Sequence, residues 1–165
     1  MNVHPYLDAL HDSWLGQIMR DVPWLFPTCE GLHFVGMSLL LGTIGVIDLR
    51  VLGFFKGLPI GPLHRMLPLA FLGFAINVAT GVAFVCSDPD SYWIVGAFRL
   101  KMVLILLAGA NALWFWLAVL NKVDEWGADA DASRLAKMIS AISLLFWVGV
   151  VTAGRFIAFA GTGTL

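Results

Sequence analysis

Residues Cys29–Asp48, "CEGLHFVGMSLLLGTIGVID", decide the reading of this chain. Between Glu30 and Asp48 nothing is charged, yet the run opens with a carboxylate and an imidazole three residues apart. A bilayer core is crossed by roughly 20 predominantly apolar residues in a helix, and three further stretches meet that length. The spans are placed at about 24–48, 67–87, 98–120 and 138–160. The whole chain agrees: 165 residues, 59% hydrophobic and 13% charged, with a mean hydropathy of +0.86. A soluble domain with a polar exterior does not reach such values.

The fold class expected is all-α: an integral membrane four-helix bundle forming a single domain over residues 1–165. Short connections predict that successive spans are antiparallel neighbours. Ahead of the first span, Val3, Tyr6, Leu7, Leu10, Trp14, Leu15 and Ile18 recur at helical spacing, with Asp8, Asp12 and Arg20 off that stripe. This pattern predicts an N-terminal amphipathic surface helix over 3–20, and Pro23 and Pro27 then redirect the chain. The N-terminus lacks the basic flank and apolar core of a secretory signal, so the chain is expected to be kept whole.

Lys and Arg in short loops set orientation. Arg50, Lys56 and Arg65 follow the first span, and Lys122, Arg134 and Lys137 precede the fourth. Those loops are expected in the cytoplasm, with both termini in the periplasm of a bacterial inner membrane. The net charge of −1 leaves no basic surface for a nucleic-acid partner. The partners expected are the lipid bilayer, further copies of the chain in a homo-oligomer, and a redox protein or quinone.

Cys29 and Cys86 fall at one depth, each about 28 Å from the cytoplasmic end at 1.5 Å per residue. A disulfide in an oxidising periplasm and two small buried thiols are both open readings.

Ionisable groups inside spanning helices are costly and mark function by default. Glu30, His33, Met37, Leu41, Ile44 and Asp48 share a face of span one, with Gly36, Gly42 and Gly45 beside it to admit a close neighbour. Lys101 and Arg155 fall at the level of Glu30 and His33. One reading of these four is an ion-paired knot that holds the helices in register. The other is a cofactor site. A neutral imidazole in a helical bundle is an axial ligand for haem iron, Lys101 and Arg155 would offset propionate charge, and Glu30 would orient His33 or pass a proton.

His64 lies at the opposite end, about 22 Å from His33 in depth, so one haem cannot take both. His64 is instead a candidate ligand for a second haem, beside a polar cluster of Asp48, Arg50 and Arg65. That cluster reads first as a salt-bridge network facing headgroups, with Arg50 as a candidate contact for a haem or quinone. His4 and His11 are seven apart on one face of the surface helix. They are candidates for a copper ion or for a partner ligand to His33, against the reading of solvated surface residues. Asn77, Thr80 and Asn111 read as interhelical glue.

The function expected is therefore a b-type haem-binding membrane protein, acting in electron transfer or as a membrane-bound oxidoreductase of small molecules at the periplasmic side. The alternative is a non-enzymatic membrane subunit or oligomeric scaffold whose intramembrane charges are structural.

The segments "FPTCEGLHFVGMSLLLGTIGVIDLRVLG", "ATGVAFVCSDPDSYW" and "FRLKMVL" resemble an uncharacterised family of small bacterial four-span membrane proteins, described by a domain of unknown function. The resemblance covers about two thirds of the chain. It implies the fold and landmarks at Glu30, His33, Asp48, Leu49, Arg50 and Lys101, and no activity. A more distant likeness of architecture is to four-helix b-type membrane cytochromes, which usually offer paired histidines at matched depths.

Overall fold

The structure is a computed structural model that describes residues 5–59, 63, 65–119 and 131–161. Val3, His4, His64, Lys122 and Trp126 lie outside the described residues. Seven helices occupy the described residues: α1 Pro5–His11, α2 Trp14–Asp21, α3 Leu25–Leu52, α4 Leu67–Ser87, α5 Pro89–Ile94, α6 Gly96–Ala118 and α7 Arg134–Gly161. Helices α3, α4, α6 and α7 are long and apolar enough to cross a membrane. The chain is a multi-pass, all-α membrane protein.

The expected surface helix is two helices. Ser13 breaks it: its hydroxyl donates to the Leu10 carbonyl at 2.6 Å and accepts from the Gly16 amide at 3.2 Å, closing α1 and capping α2. Leu7, Gly16 and Met19 are buried, whereas Tyr6, Leu10 and Trp14 of the apolar stripe are exposed. A Cβ on Gly16 would lie 2.6 Å from the Cys86 carbonyl oxygen, so α2 rests directly on the end of α4.

The other ends are closed by local chemistry. Gly53 takes the left-handed conformation (φ 106°) after α3, with its amide bonded to the Arg50 carbonyl and the Phe54 amide to that of Leu49, a Schellman closure. Asp88 ends α4 and begins α5, where its carboxylate accepts from the Ser91 amide at 3.3 Å and Pro89 fills the first turn.

Helix α3 is the centre of the packing. It lies against α4 on one side and α7 on the other, and α6 packs on α7, giving the order α4–α3–α7–α6. Helices α4 and α6 follow one another in sequence but share no comparable interface. This corrects the expectation that all successive spans are neighbours. The six-residue helix α5 separates the ends of α4 and α6 and carries the chain across.

The α3–α4 contact is made by backbone. A Cβ on Gly73 would lie 2.5 Å from the Gly36 carbonyl oxygen and 2.7 Å from the Leu40 nitrogen, and one on Gly36 would lie 2.9 Å from the Gly73 carbonyl oxygen. Gly42 and Gly45, expected in the same role, have nothing within 4 Å of such a Cβ. At the far end of α3, Ile47 and Val51 pack with Leu63, Val119, Ala132, Ala136 and Ile139. Asn111 of α6 donates to the Ile139 carbonyl of α7 at 3.1 Å. Large apolar side chains such as Phe71, Leu106, Leu117 and Leu145 are about 70% exposed, which suits contact with hydrocarbon.

Replacing Gly73 by Ala is expected to destabilise the protein by about 1–3 kcal/mol, the usual cost of overpacking, because the obstacle is backbone. Gly42→Ala should leave the thermal midpoint in detergent unchanged or slightly raised, as Ala is the better helix former. Equal midpoints for the two variants would refute the close crossing.

Candidate functional site

His33 is half-buried on α3, one turn from Gly36, and faces α4. Its Nδ1 lies 2.7 Å from Thr80 Oγ1. The Thr80 hydroxyl already donates to the carbonyl of Ile76 at 2.8 Å, a back-bond within its own helix. When the hydroxyl keeps that bond, Thr80 accepts from His33 and the ring carries its proton on Nδ1. The Nε2 lone pair is left without a hydrogen-bond donor among the described residues. A second partner that fixes tautomer and ring orientation is the arrangement that prepares an imidazole to bind a metal.

The walls of the site are aromatic and cationic. The Phe84 ring centroid is 5.5 Å from that of His33, and the Phe26 ring lies tilted against Phe84 at 5.1 Å. Lys101 of α6 is half-buried and within electrostatic reach of the His33 ring. It is seated against α7 where Gly154 has no side chain, since a Cβ there would lie 3.4 Å from Lys101 Nζ. Residues of all four spans thus converge at this end.

The predicted charges divide. Lys101 joins His33, but Glu30 is exposed, and no ion pair links it to Lys101 or Arg155 among the described residues. The charge of Glu30 acts instead on Tyr92 of α5. Arg155 is exposed and lies over the Phe159 ring one turn along α7, 4.7 Å from its centroid, a cation–π contact. The ion-paired knot is not formed in the described structure. Burial, followed by Asp88 and Glu30, holds the Tyr92 phenol above the usual range.

Thr80, Phe84, Tyr92 and Gly154 were not singled out as site residues by sequence reasoning. Depth held the signal for Thr80: it lies 13 positions from Leu67, and His33 lies 15 from Asp48, which is nearly the same level on two adjacent antiparallel helices.

At the opposite end, Asp48 and Arg50 are both buried, and Arg50 Nε donates to the Leu58 carbonyl at 2.6 Å. No ion pair joins Asp48 to Arg50 or Arg65 among the described residues, which corrects the expected network. Among the described residues, Lys56 and Lys137 both pair there with Asp131, at 3.0 and 3.4 Å. Their hydrogen bonds hold the Asp131 carboxyl below the ordinary range.

His11 is exposed and lies 3.2 Å from Asp12. No group of three or more His, Cys, Asp or Glu side chains converges to hold a metal ion among the described residues. His11 therefore has no described ligand set for copper, while His4 and His64 are outside the described residues. Cys29 and Cys86 are free thiols, and Cys29 Sγ lies 3.9 Å from Met19 Sδ. Of the two readings of the cysteines, that of separate thiols describes the structure.

Comparison with family models, with curated proteins and with solved structures finds no match for this chain.

Thr80→Val removes the acceptor for His33. Nitrogen NMR of the histidine-labelled protein is expected to show His33 protonated on Nδ1 in the wild type and to lose that single tautomer in the variant. An unchanged spectrum would remove Thr80 from the site. Glu30→Gln is expected to lower the pH at which the Tyr92 phenolate forms in an ultraviolet titration, because the carboxylate that disfavours the anion is gone. A curve that does not move would place Glu30 out of reach of Tyr92.

Proposed function

We propose that this chain binds a b-type haem through His33 and serves electron transfer, or redox chemistry on a small molecule, at the periplasmic face of a bacterial inner membrane. The observation that carries the proposal is the His33 Nδ1–Thr80 hydrogen bond, which leaves Nε2 as the imidazole's available lone pair. An imidazole with no converging carboxylate, thiolate or second histidine among the described residues is a poor site for a bare zinc or copper ion, which takes several protein ligands. It suits a haem, whose porphyrin brings four nitrogens of its own and asks the protein for an axial ligand.

The surrounding residues fit that group. Thr80 would hold the ring against rotation and increase its basicity. Phe84 and Phe26 would present flat apolar surface and keep water from the site. Lys101 would offset a propionate, a role in which a half-buried ammonium with no ion-pair partner among the described residues is well placed. The bound haem would supply one-electron chemistry. Arg155, exposed at the same end of α7, is available to the second propionate or to a headgroup. A homo-oligomer is part of the proposal. The face left open where α4 and α6 do not pack together would admit a second copy, and with it a second axial ligand.

The oligomeric-scaffold reading rests on a separate observation: only 11% of the apolar window of α6 is buried within the chain, a surface that another copy or lipid would cover.

Protein purified from native membranes in mild detergent is expected to show a Soret band that sharpens and shifts with dithionite, together with resolved α and β bands. His33→Ala should abolish these bands without changing the elution volume. Full haem in His33→Ala would move the ligand elsewhere, and a featureless wild-type spectrum would favour the scaffold.

A further inference from the structure

Asp48 lies in the seam between α3 and α7 with 6% of its surface exposed, and Ser140 of α7 is fully buried. Asp48 Oδ2 and Ser140 Oγ are both enclosed, and neither has a hydrogen-bond partner among the described residues. The groups that act on the Asp48 carboxyl are the hydroxyls of Ser143 and Ser140, one turn apart on the facing helix. Neither is drawn into full hydrogen-bond geometry with it.

Among the described residues, no ion pair reaches this carboxyl. Arg50, on the same helix, gives its Nε to Leu58. Lys137 of α7 is engaged with Asp131 beside Lys56, and Arg65 and Arg134 are exposed at the bundle's end. The seam beyond Asp48 is lined mostly by apolar side chains. Leu41 and Gly45, on its own side of α3, line a groove of about 260 Å³ with Leu144, Trp147, Val148, Val151 and Thr152 of α7.

We propose that Asp48, Ser140 and Ser143 form an exchangeable proton-binding site inside the membrane. An ionised carboxylate accepts hydrogen bonds only, whereas a carboxylic acid also donates one. An O–H bond formed at Oδ2 points a donor at Ser140 Oγ, and the Ser143 hydroxyl remains to serve the other carboxyl oxygen. That proton makes the enclosed carboxyl neutral, where the ionised form would keep a negative charge in the seam with two serine hydroxyls as its donors. It comes from water at that end of the bundle and returns there, and no electron moves. Hard metal cations take about six or more oxygen ligands, and this seam offers three side chains, so the proton is the occupant that the donor count favours. An ionisable side chain buried within a span and facing another helix is the usual position of a proton relay. The site is independent of the haem proposal, because it lies about 22 Å along α3 from His33.

Infrared spectroscopy of the purified full-length protein at mildly acidic pH tests it. The expected result is a carbonyl stretch of a protonated carboxylic acid that disappears in Asp48→Asn, shifts in frequency in Ser140→Ala and is indifferent to exchange of potassium for sodium. Dicyclohexylcarbodiimide, which attacks protonated carboxyls in apolar surroundings, should label Asp48 of the wild type in a mass-spectrometric map. That result is readable even where a variant does not fold. Absence of both band and label overturns the proposal. So does a band unmoved by Ser140→Ala, or labelling suppressed by sodium, which would mark a metal-cation site instead.

Discussion

The contact on which the rest depends is the crossing of α3 and α4 at Gly36 and Gly73, where backbone meets backbone with no room for a Cβ. Apolar burial drives helices together in water but gives no such bias in hydrocarbon, where association rests on close packing and interhelical hydrogen bonds. A glycine pair supplies the first and permits the second. Gly36 lies one turn from His33, and Gly73 lies seven residues, two turns, from Thr80. Once the glycines set the register, imidazole and hydroxyl come within 2.7 Å. The site on α3 is therefore a consequence of how α4 is held. The crossing also has a cost: Asn77, which donates to the Gly73 carbonyl at 2.8 Å, is left with a buried amide oxygen that has no partner among the described residues, a penalty of about 1–3 kcal/mol.

The spans were legible in the sequence because length and hydropathy answer directly to bilayer thickness. The predicted 67–87 coincides with α4, and the others are displaced by a few residues at their ends. Punctuation was less legible. Ser13 sits within a continuous apolar stripe, and its capping bonds override that periodicity. Pro89 after Asp88 is a helix-start signal in the short connection between two spans, and it opens α5. The lateral order was beyond reach. Period and composition say that a helix has an inward face but not which neighbour it turns toward, and the short α5 was enough to part α4 from α6.

At the site, the sequence placed His33 and Lys101 at one end of the bundle and the structure brings them within reach of each other. The ion pair expected of Glu30 is not formed among the described residues. Matching depth is necessary for an ion pair but not sufficient, because rotation about the helix axis decides whether a long side chain looks inward. Near a helix end it also has water and headgroups within reach, and a guanidinium over its own Phe159 avoids the cost of ordering a distant partner. Thr80 was undervalued for the opposite reason. A threonine in a span usually satisfies itself by bonding back along its own helix, as this one does, and its remaining acceptor capacity is invisible until a donor is placed opposite.

Helix α3 thus carries polar chemistry at both ends and apolar packing between. Toward α4 the imbalance is resolved by a fixed donor–acceptor pair, which leaves one imidazole nitrogen without a partner. Toward α7 the enclosed Asp48 Oδ2 and Ser140 Oγ have no hydrogen-bond partner among the described residues. In hydrocarbon, an unmet hydrogen-bonding group has no water to turn to, so each unmet capacity marks a place where something other than this chain's described side chains completes the structure. The proposed haem would meet the lone pair of the imidazole, and the proposed proton would neutralise the enclosed carboxyl. The two demands differ in chemistry and lie at opposite ends of one helix, so satisfying one leaves the other intact.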